Sequence, residues 1–370
     1  MDQQGQNGLM DTYRDGLRTR GPLAYVLSAL LIVFYCLLYF TPRLDSVAQQ
    51  LGLLNRWFFY GALYSCAMTA GAFVYLRRHG NSRYNRVRIA TNVGVQIGLA
   101  FALPFAMALL EQPAFYFSYL WPLDIYLLFP TTLRALPWYL AAYGMVGSLL
   151  LAPLLALRFG KRWYCSWVCG CGGLANTFGD PFRHLTSSSE RSHRRERWLV
   201  YSVLGFAVAT TALLAVDAWL VGRPAWLHRL VVGGGASWPW LGQLSLKGIY
   251  GFVVGSVLAG VVGTGLYPLL GPRVWCRNFC PMAAVLGLVQ KVGRFHIRVK
   301  PDMCISCGNC TAYCEMGIDV RAYAERNESF VRAACVGCGM CAHVCPRGVL
   351  RLEQRPRRQA DGGKRRLPVH

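Results

Sequence analysis

The C-terminal fold of this chain is decided by residues 304–346, which read CISCGNCTAYCEMGIDVRAYAERNESFVRAACVGCGMCAHVCP. The stretch contains the spacing C-x2-C-x2-C-x3-C twice, once from Cys304 to Cys314 and once from Cys335 to Cys345. In such pairs three closely spaced thiolates surround one 4Fe–4S cube, and the fourth cysteine of each run ligates the cluster of the other run. The spacing therefore predicts two 4Fe–4S clusters, one held by Cys304, Cys307, Cys310 and Cys345 and the other by Cys335, Cys338, Cys341 and Cys314.

Structural zinc is the alternative use of these cysteines. Zinc sites typically combine two C-x2–4-C pairs, or cysteine with histidine, into one set of four ligands. They do not need two interlocked runs of four cysteines, so the pattern favours clusters. We therefore expect an α+β two-cluster domain of the bacterial-ferredoxin type over residues 294–355, facing a reducing compartment. The basic tail after it, residues 356–370, is predicted to be disordered.

The composition predicts a membrane protein. Of the 370 residues, 54% are hydrophobic and only 15% are charged, which is too apolar for an ordinary soluble protein. Helices of ~20 apolar residues can cross a bilayer core, and such stretches occur near 23–41, 57–76, 89–110, 138–158, 198–220 and 248–270. The predicted fold is therefore mostly α, with a polytopic helical membrane bundle of about six spans. The bundle occupies residues 23–293, after an N-terminal segment (1–22), and its apolar run at 121–129 is short enough to be interfacial or re-entrant.

The charge of the loops predicts the orientation of these spans. The loops at 77–88 and 161–197 are rich in Arg and Lys, whereas the other loops between spans are poor in both. The positive-inside rule then places both loops, both termini and the ferredoxin domain in the cytoplasm of a bacterial-type inner membrane. A net charge of +22 beside apolar segments favours anionic lipid as a partner. The sequence has no nucleic-acid-binding module, so nucleic acid is not an expected partner.

A second cysteine repeat lies at the ends of the fourth and sixth spans. Residues 160–170 read GKRWYCSWVCG and residues 271–281 read GPRVWCRNFCP, so both match G-x-R-x-(W/Y)-C-x3-C-(G/P). Because side chains four residues apart share a helix face, we expect one helix in each copy to aim both thiols one way and the two copies to converge. The candidate site comprises Cys165, Cys169, Cys276 and Cys280, with Cys171 as an extra ligand or resolving thiol.

Four converging thiols have three uses that the residues alone leave open. They hold a third metal or cluster, act as redox-active thiols, or pack as small apolar side chains. The repetition argues against packing alone, because packing rarely demands the same pair twice. Arg162 and Arg273 stand three residues before the first cysteine of each copy and are expected to lower the pKa of the thiols or to contact anionic groups.

Two C-x3-C motifs at helix ends, followed by a two-cluster ferredoxin tail, resemble the membrane polyferredoxins of the NapH/MauN/NosR type, with the CcoG type as a cousin. The resemblance covers residues 138–355 and matches the eight ferredoxin cysteines plus Cys165, Cys169, Cys276 and Cys280. It implies an integral membrane electron-transfer subunit, often working with the quinone pool and with other membrane or periplasmic redox subunits. Two residues depart from the pattern. Gly170 replaces a proline in the first motif, and Glu315 replaces the proline that usually follows the fourth cysteine, which predicts a looser loop.

The predicted function is therefore electron relay between a cytoplasmic redox partner and the quinone pool or a membrane or periplasmic oxidoreductase, as one subunit of a complex. The alternatives are a CcoG-like assembly or maturation factor that reduces a metal or thiol for another enzyme, and a docking anchor that the clusters only stabilise. The sequence identifies no catalytic residue. No histidine lies inside a predicted span, so this chain alone is not expected to bind a bis-histidine haem. Asn92, Gln96 and Asp217 are candidate quinone contacts, because polar groups in spans are often functional.

The predicted orientation can be tested with reporter fusions. A reporter after His370, or one inserted in the loop 77–88, should be cytoplasmic, and one near Gly234 should be exported, because positively charged loops stay inside. Paired alkaline phosphatase and green fluorescent protein fusions at the three positions measure this. Export of the fusion after His370 would reverse the orientation and move the ferredoxin domain to the other side.

Overall fold

The computed structural model describes residues 21–219, 225–233, 237–238, 242–243 and 245–354. Nearly all of the predicted N-terminal segment (1–22) and the predicted tail (356–370) therefore lie outside the described residues. Within the described residues the chain is mostly helical, with one antiparallel pair of strands in the ferredoxin region and a second, very short pair elsewhere.

The described helices and strands follow one another from the first apolar span to the ferredoxin region. In chain order the helices are α1 (Gly21–Phe40), α2 (Arg43–Gln50), α3 (Arg56–His79), α4 (Arg83–Leu109), α5 (Pro130–Ala135), α6 (Trp138–Phe159), α7 (Arg162–Cys165), α8 (Gly170–Asn176), α9 (Glu190–Trp219), α10 (Ala225–Val231), α11 (Leu246–Gly265), α12 (Tyr267–Leu270), α13 (Val274–Asn278), α14 (Pro281–Val292), α15 (Asn309–Ala312), α16 (Val320–Glu325) and α17 (Met340–His343). The strands are β1 (Ser237–Trp238), β2 (Gly242–Gln243), β3 (Phe295–Val299) and β4 (Leu350–Gln354), and Ile125–Leu128 and Asp180–Leu185 form 3₁₀ turns.

Six of the described helices are long and apolar enough to cross a membrane, namely α1, α3, α4, α6, α9 and α11. This confirms the prediction of about six spans. On α1 the side chains of Leu23, Leu30 and Val33 are each more than half exposed, so the helix presents apolar surface outward. Such surface suits hydrocarbon, where helices satisfy their own backbone hydrogen bonds. By helix composition the chain is a multi-pass membrane protein.

Parts of the two basic loops predicted at 77–88 and 161–197 belong to the beginnings of helices. Helix α4 begins at Arg83, and α9 begins at Glu190, well before the predicted start of the fifth span. Arg88 therefore lies on α4, where it has no exposed surface and donates a 2.9 Å hydrogen bond to the hydroxyl of Tyr75. Arg88, one of the arginines from which the orientation was predicted, therefore points into the protein rather than toward lipid or water.

The short apolar run at 121–129 packs into the protein. Its 3₁₀ turn begins after Asp124, whose side chain accepts a 3.0 Å hydrogen bond from the backbone N–H of Tyr126. Ile125, Leu127 and Phe129 are almost completely buried in the main apolar core. The segment therefore buries its apolar side chains without the length of a span.

The ferredoxin region is closed by strands from its two ends. Strand β3 pairs with β4 in antiparallel register, so that Phe295 lies opposite Gln354 and Val299 opposite Leu350. The alternate residues Phe295, Ile297 and Val299 are buried, as expected for a strand with one face on a core. The strand pair brings the start and the end of the region together and leaves both cysteine runs in the loops between them.

Candidate metal centres

The first cavity of the ferredoxin region is lined by cysteines from both runs. Cys304, Cys307 and Cys310 come from the first run, and Cys345 comes from the end of the second. The space among these residues amounts to about 350 Å³, part of which is open to solvent. We call this space the first cavity. The structure thus brings together the four cysteines that the crossed spacing assigns to one cluster.

The second cavity is lined by the complementary set of cysteines. Cys335, Cys338 and Cys341 of the second run surround it together with Cys314 of the first, and the space among them amounts to about 400 Å³, part of which is open to solvent. Four thiols around one space are the donor set that a 4Fe–4S cluster requires. The residues therefore fit two such clusters, and the number of clusters and the ligand of each remain predictions.

The two cysteine runs have the same backbone conformation. In both, the residues on either side of the second cysteine have positive φ: Ser306 (54°) and Gly308 (76°) in the first run, Gly337 (60°) and Gly339 (79°) in the second. Left-handed residues curl the chain tightly, and glycine adopts this conformation without strain. The paired left-handed positions explain why three thiols of each run face one space.

Backbone N–H groups point at the fourth cysteine of each run. The N–H of Ile318 donates to Sγ of Cys314 over 3.4 Å, and the N–H of Val349 donates to Sγ of Cys345 over the same distance. In both runs the donor stands four residues after its cysteine. Hydrogen bonds to cysteine sulfur are among the protein features that set the reduction potential of an iron–sulfur cluster. These bonds fix the two cysteines that are predicted to cross between the runs.

The four thiols of the C-x3-C repeat also come together. Cys165, Cys169, Cys276 and Cys280 are 4%, 6%, 6% and 5% exposed. Burial, and then the neighbouring thiols of Cys276, Cys165 and Cys169, raise the pKa of Cys280 above its usual value, which places all four in one electrostatic environment. We call this set the four-thiol site. No three His, Cys, Asp or Glu side chains of the described chain are placed to hold a single metal ion as they stand.

The expectation that each C-x3-C pair lies on one continuous helix is wrong. Cys165 ends α7 and Cys276 lies on α13, whereas Cys169 and Cys280 cap the following helices, α8 and α14. The N–H of Cys169 donates to the carbonyl of Tyr164 over 2.8 Å, and the N–H of Cys280 donates to the carbonyl of Trp275 over 2.9 Å. The same tight turn therefore occurs in both copies. It places the two thiols together by reversing the chain, not by helical periodicity.

Cys171 adds a fifth sulfur beside this site. A hydrogen bond between the Cys171 and Cys169 thiols lowers the pKa of Cys169 to about 7, although burial acts in the opposite direction. The backbone nearby is tightly packed, since the hydroxyl of Tyr64 donates to the carbonyl of Gly170 over 2.7 Å. The glycine at position 170 fits this approach, because a side chain there would press against the carbonyl oxygen of the Gln96 side chain.

The arginines of the repeated motif have different surroundings. Nη1 of Arg273 lies 3.2 Å from the carbonyl oxygen of Cys165 and 3.7 Å from Sγ of Cys276, so it connects the two copies. Arg162 instead stacks over the ring of Phe295, with its Cζ 5.0 Å from the ring centroid. Only Arg273 contacts the thiols as the sequence predicted, and Arg162 packs against the ferredoxin region.

The prediction of a loose loop at Glu315 is also wrong. The carboxylate has no exposed surface, and its two oxygens lie 2.8 Å from Nη2 of Arg273 and 2.9 Å from Nη1 of Arg183. Burial alone would raise the pKa of Glu315, but Arg183, Arg273 and Arg88 outweigh it and hold the carboxyl below its usual pKa. The residue that follows Cys314 is therefore clamped, and the clamp joins the second cavity to the four-thiol site through Arg273.

Three further side chains hold the loop of the second cavity against the membrane domain. Ser166 donates to the carbonyl of Val336 and Tyr84 to that of Gly337, each over 2.7 Å, and Gln290 donates to that of Cys335 over 3.0 Å. Both cavities are lined by residues of the ferredoxin region, but Cys307 of the first is exposed, whereas none of the four cysteines of the second is exposed. The second cavity thus faces the membrane helices and the first faces away from them.

The three polar residues proposed as quinone contacts have separate surroundings. Gln96 donates to the carbonyl of Val168, next to the four-thiol site. Asn92, one turn earlier, is fully buried, and neither polar atom of its side chain has a hydrogen-bond partner in the described structure. Asp217 lies 2.9 Å from Nδ1 of His228 on α10. Gln96 is thus accounted for by packing against the repeat, and only Asn92 and Gln96 lie near each other.

Sequence reasoning missed the groups that connect the sites. Glu315, Arg183 and Gln290 belong to no motif, and their partners lie far away along the chain. The sequence did contain one indication for Glu315, because a carboxylate replaces the proline of the family pattern. A carboxylate in so apolar a region needs a charged partner. Nothing in the sequence marked Arg183 or Gln290.

Crossed ligation can be tested by removing each fourth cysteine. Cys314→Ala should abolish the cluster of the second cavity and leave the other, whereas Cys345→Ala should do the reverse, because each lines the cavity of the opposite run. Electron paramagnetic resonance of the reduced variants measures which signal remains. Loss of the same signal in Cys314→Ala as in Cys304→Ala would contradict crossed ligation.

Neutralising Glu315 should destabilise the protein strongly. Glu315→Gln removes the carboxylate paired with buried Arg273 and one of the two paired with Arg183, whose other partner is Asp180 at 2.6 Å, and breaking such a buried pair typically costs about 3–5 kcal/mol. The matched control is Glu353→Gln, whose pair with Arg298 (3.2 Å) is partly exposed, and which should cost about 1 kcal/mol or less. Denaturant titration in detergent measures both free energies of unfolding. Equal, small effects would show that Glu315 does not hold the two regions together.

The comparisons with known proteins agree with this arrangement. The family described as 4Fe-4S dicluster domain matches residues 297–352, and the family described as 4Fe-4S binding domain matches residues 141–187 and 253–300. The second family thus includes both C-x3-C motifs. No solved structure matches the chain.

Several proteins of known name are similar to it over about half of their length. The chain is 29% identical over 182 residues to the methylamine utilization ferredoxin-type protein MauN of Paracoccus denitrificans, covering 48% of this chain and 56% of that protein. It is 27% identical over 178 residues to the ferredoxin-type protein NapH of Escherichia coli, covering 45% and 53%. It is 26% identical over 172 residues to the putative electron transport protein YccM of the same organism, covering 46% of each.

The matched segments are those that carry the cysteines. The two families cover the ferredoxin region and both membrane repeats, and the similar proteins are described as ferredoxin-type or electron-transport proteins. The chain is therefore similar to the ferredoxin-type membrane proteins MauN and NapH, at 27–29% identity over about half of its length, and its matched segments correspond to 4Fe–4S binding domains.

Proposed function

We propose that this protein is an iron–sulfur electron-transfer subunit that relays electrons between a redox partner on the ferredoxin side and the quinone pool or another membrane or periplasmic oxidoreductase. The observation that supports it is the order of three sulfur-lined sites: the first cavity, the second cavity and the four-thiol site. Bound 4Fe–4S clusters supply reversible one-electron transfer. The side chains between these sites would hold them close enough for electrons to pass from one to the next.

Two short connections link the second cavity to the four-thiol site. In one, Cys314 is followed by Glu315, which pairs with Arg273, and Arg273 contacts Cys276. In the other, Cys335 is followed by Val336, whose carbonyl accepts the hydrogen bond of Ser166, the neighbour of Cys165. Both connections consist of covalent bonds and single polar contacts, so the two sites lie side by side.

Burial keeps water away from this junction. Lys161, Ser166 and Arg273 are at most 2% exposed, and Lys161 donates 2.7 Å to the carbonyl of Ala333. The low dielectric of such a site strengthens each polar contact. The junction is therefore buried and hydrogen-bonded, as an electron path between fixed centres needs.

The four-thiol site is the proposed exit into the membrane domain. It lies where α6 and α12 end, beside the buried Gln96 and Asn92 of α4. Under the proposed orientation these helix ends are cytoplasmic, so a quinone or another subunit carries electrons onward across the ~30 Å apolar layer. Anionic lipid is the proposed neighbour of the exposed arginines beside the loop between α3 and α4, among them Arg77, Arg78 and Arg86.

A maturation role is the second candidate, and one observation favours it. The hydrogen-bonded thiols of Cys169 and Cys171 form a close pair beside the four-thiol site. Such a pair suits reduction of a metal ion or thiol supplied by another protein. This role predicts a metal-deficient partner enzyme in cells that lack the protein, while quinone reduction by the purified protein is absent.

The relay is tested by a pair of serine variants. Cys165→Ser with Cys276→Ser should stop electron flow from reduced clusters to a soluble quinone analogue and leave about eight irons in the ferredoxin region. Wild type should contain about eight irons, or about twelve if the four-thiol site also holds a cluster. The matched control is Cys36→Ser with Cys66→Ser, since these cysteines lie within spans α1 and α3, apart from the repeat.

Two outcomes would overturn the proposal. Wild-type electron flow through the Cys165→Ser and Cys276→Ser variant would exclude the four-thiol site from the path. Zinc in place of iron, with no acid-labile sulfide, would remove the clusters on which the proposal depends.

A further inference from the structure

We propose that the face of the ferredoxin region around the first cavity is the docking surface for a soluble one-electron carrier protein with an acidic surface. This inference rests on the proposed function, because it names the class of partner that exchanges electrons with the first cavity. It follows from the exposure of that cavity, from a cleft beside it and from the charge around both.

The first cavity opens toward solvent. Ile305 is 54% exposed at its mouth, Cys307 is exposed, and Pro346 and Arg347 form an exposed lip. An apolar side chain directly over a redox site, surrounded by polar residues, is the anatomy of a protein contact surface. The loop of the second cavity instead accepts hydrogen bonds from three residues of the membrane domain, Tyr84, Ser166 and Gln290, and none of its four cysteines is exposed.

A polar cleft lies next to the first cavity and shares two of its lining residues, Gly308 and Arg321. It has a volume of about 420 Å³ and is open to solvent. We call it the basic cleft. One wall is the helix α16 with the loop after it, and the other is the start of α9. The side chains that face it from these walls include Arg321, Arg326, Arg332, Ser189, Glu190 and His193.

Positive charge predominates around the two openings. The carboxylate of Asp319 is occupied at the start of α16, where it accepts hydrogen bonds from Thr311 and from the N–H of Ala322. Arg321 and Arg326 have only partly exposed partners, Glu325 at 3.6 Å and Glu328 at 3.1 Å. Arg347 has no carboxylate within ion-pair distance in the described part of the chain. The positive excess therefore comes from Arg347 and from Arg332, whose Nη1 contacts the hydroxyl of Tyr323 rather than a carboxylate.

The membrane domain adds to this charge. Arg191 and Arg194 are exposed on the first turns of α9, next to the cleft residues Glu190 and His193. The whole chain carries +22, so the field attracts an anionic protein from a distance and raises its rate of encounter. Weak, fast contacts of this kind are typical of electron-carrier complexes. An acidic carrier would thereby bring its redox group to Ile305 and Cys307.

The test measures electron transfer from a reduced, acidic 2Fe–2S ferredoxin to the complete protein in lipid nanodiscs by stopped-flow absorbance. The variant is Arg321→Glu with Arg326→Glu. The matched control is Arg298→Glu with Arg351→Glu, which reverses two charges on strands β3 and β4, and Arg298 also has a partly exposed glutamate partner. Iron and sulfide assays and full reduction by dithionite establish that all three proteins contain the same clusters.

We expect the Arg321→Glu and Arg326→Glu variant to be reduced about tenfold more slowly than wild type at low salt. The difference should shrink toward none near 1 M salt, where the Debye length is ~3 Å. The control should be within about twofold of wild type, because neither of its side chains lines the first cavity or the basic cleft.

Three results would overturn the docking surface. They are equal rates for variant and wild type at low salt, an equal loss in the control, and an effect that vanishes when anionic lipid is omitted from the nanodiscs, which would assign the arginines to lipid. If the clusters are present and dithionite reduces them, but the rate of reduction by the ferredoxin is the same with and without the two arginines, only the docking surface fails. If the clusters are absent, the proposed function fails as well.

Discussion

A carboxylate without exposed surface, Glu315, lies between the guanidinium groups of Arg183 and Arg273, and the junction of the ferredoxin region with the membrane helices depends on it. Burying three charges costs desolvation energy that only close pairing offsets. Such pairs contribute more to defining one arrangement than to net stability. In this protein the buried ion pairs fix the position of Cys314 against both C-x3-C repeats. They thereby fix the second cavity as well.

The junction determines which sulfur-lined site faces which environment. Ser166, Tyr84 and Gln290 bind the carbonyls of the second cavity loop, so this cavity lies against the membrane domain. The first cavity is left at the outer end, with Cys307 exposed. A polar contact also joins the two C-x3-C copies of the membrane domain, since Arg273 of one copy contacts the backbone of Cys165 in the other. These few polar contacts therefore order the three sites, with the first cavity at one end and the four-thiol site at the other.

Local features of the sequence predicted the six spans, the ferredoxin strands and the grouping of cysteines, because hydropathy and C-x2-C spacing act over a few residues. The prediction failed where geometry departs from helix periodicity. Cys165 and Cys169 meet across a tight turn between two short helices, a conformation that i, i+4 spacing cannot distinguish from a helix. It also failed at Glu315, because the partners of a buried charge lie elsewhere in the chain and only the fold brings them together.

The central claim is that the first cavity faces water and the second faces the membrane domain. Relaxation of the two cluster signals by a water-soluble gadolinium complex, followed by electron paramagnetic resonance, tests it most directly. The account predicts strong relaxation of the signal that depends on Cys345 and weak relaxation of the signal that depends on Cys314, since Cys307 of the first cavity is exposed and no cysteine of the second is. Equal relaxation of both signals, or the reverse order, would contradict it.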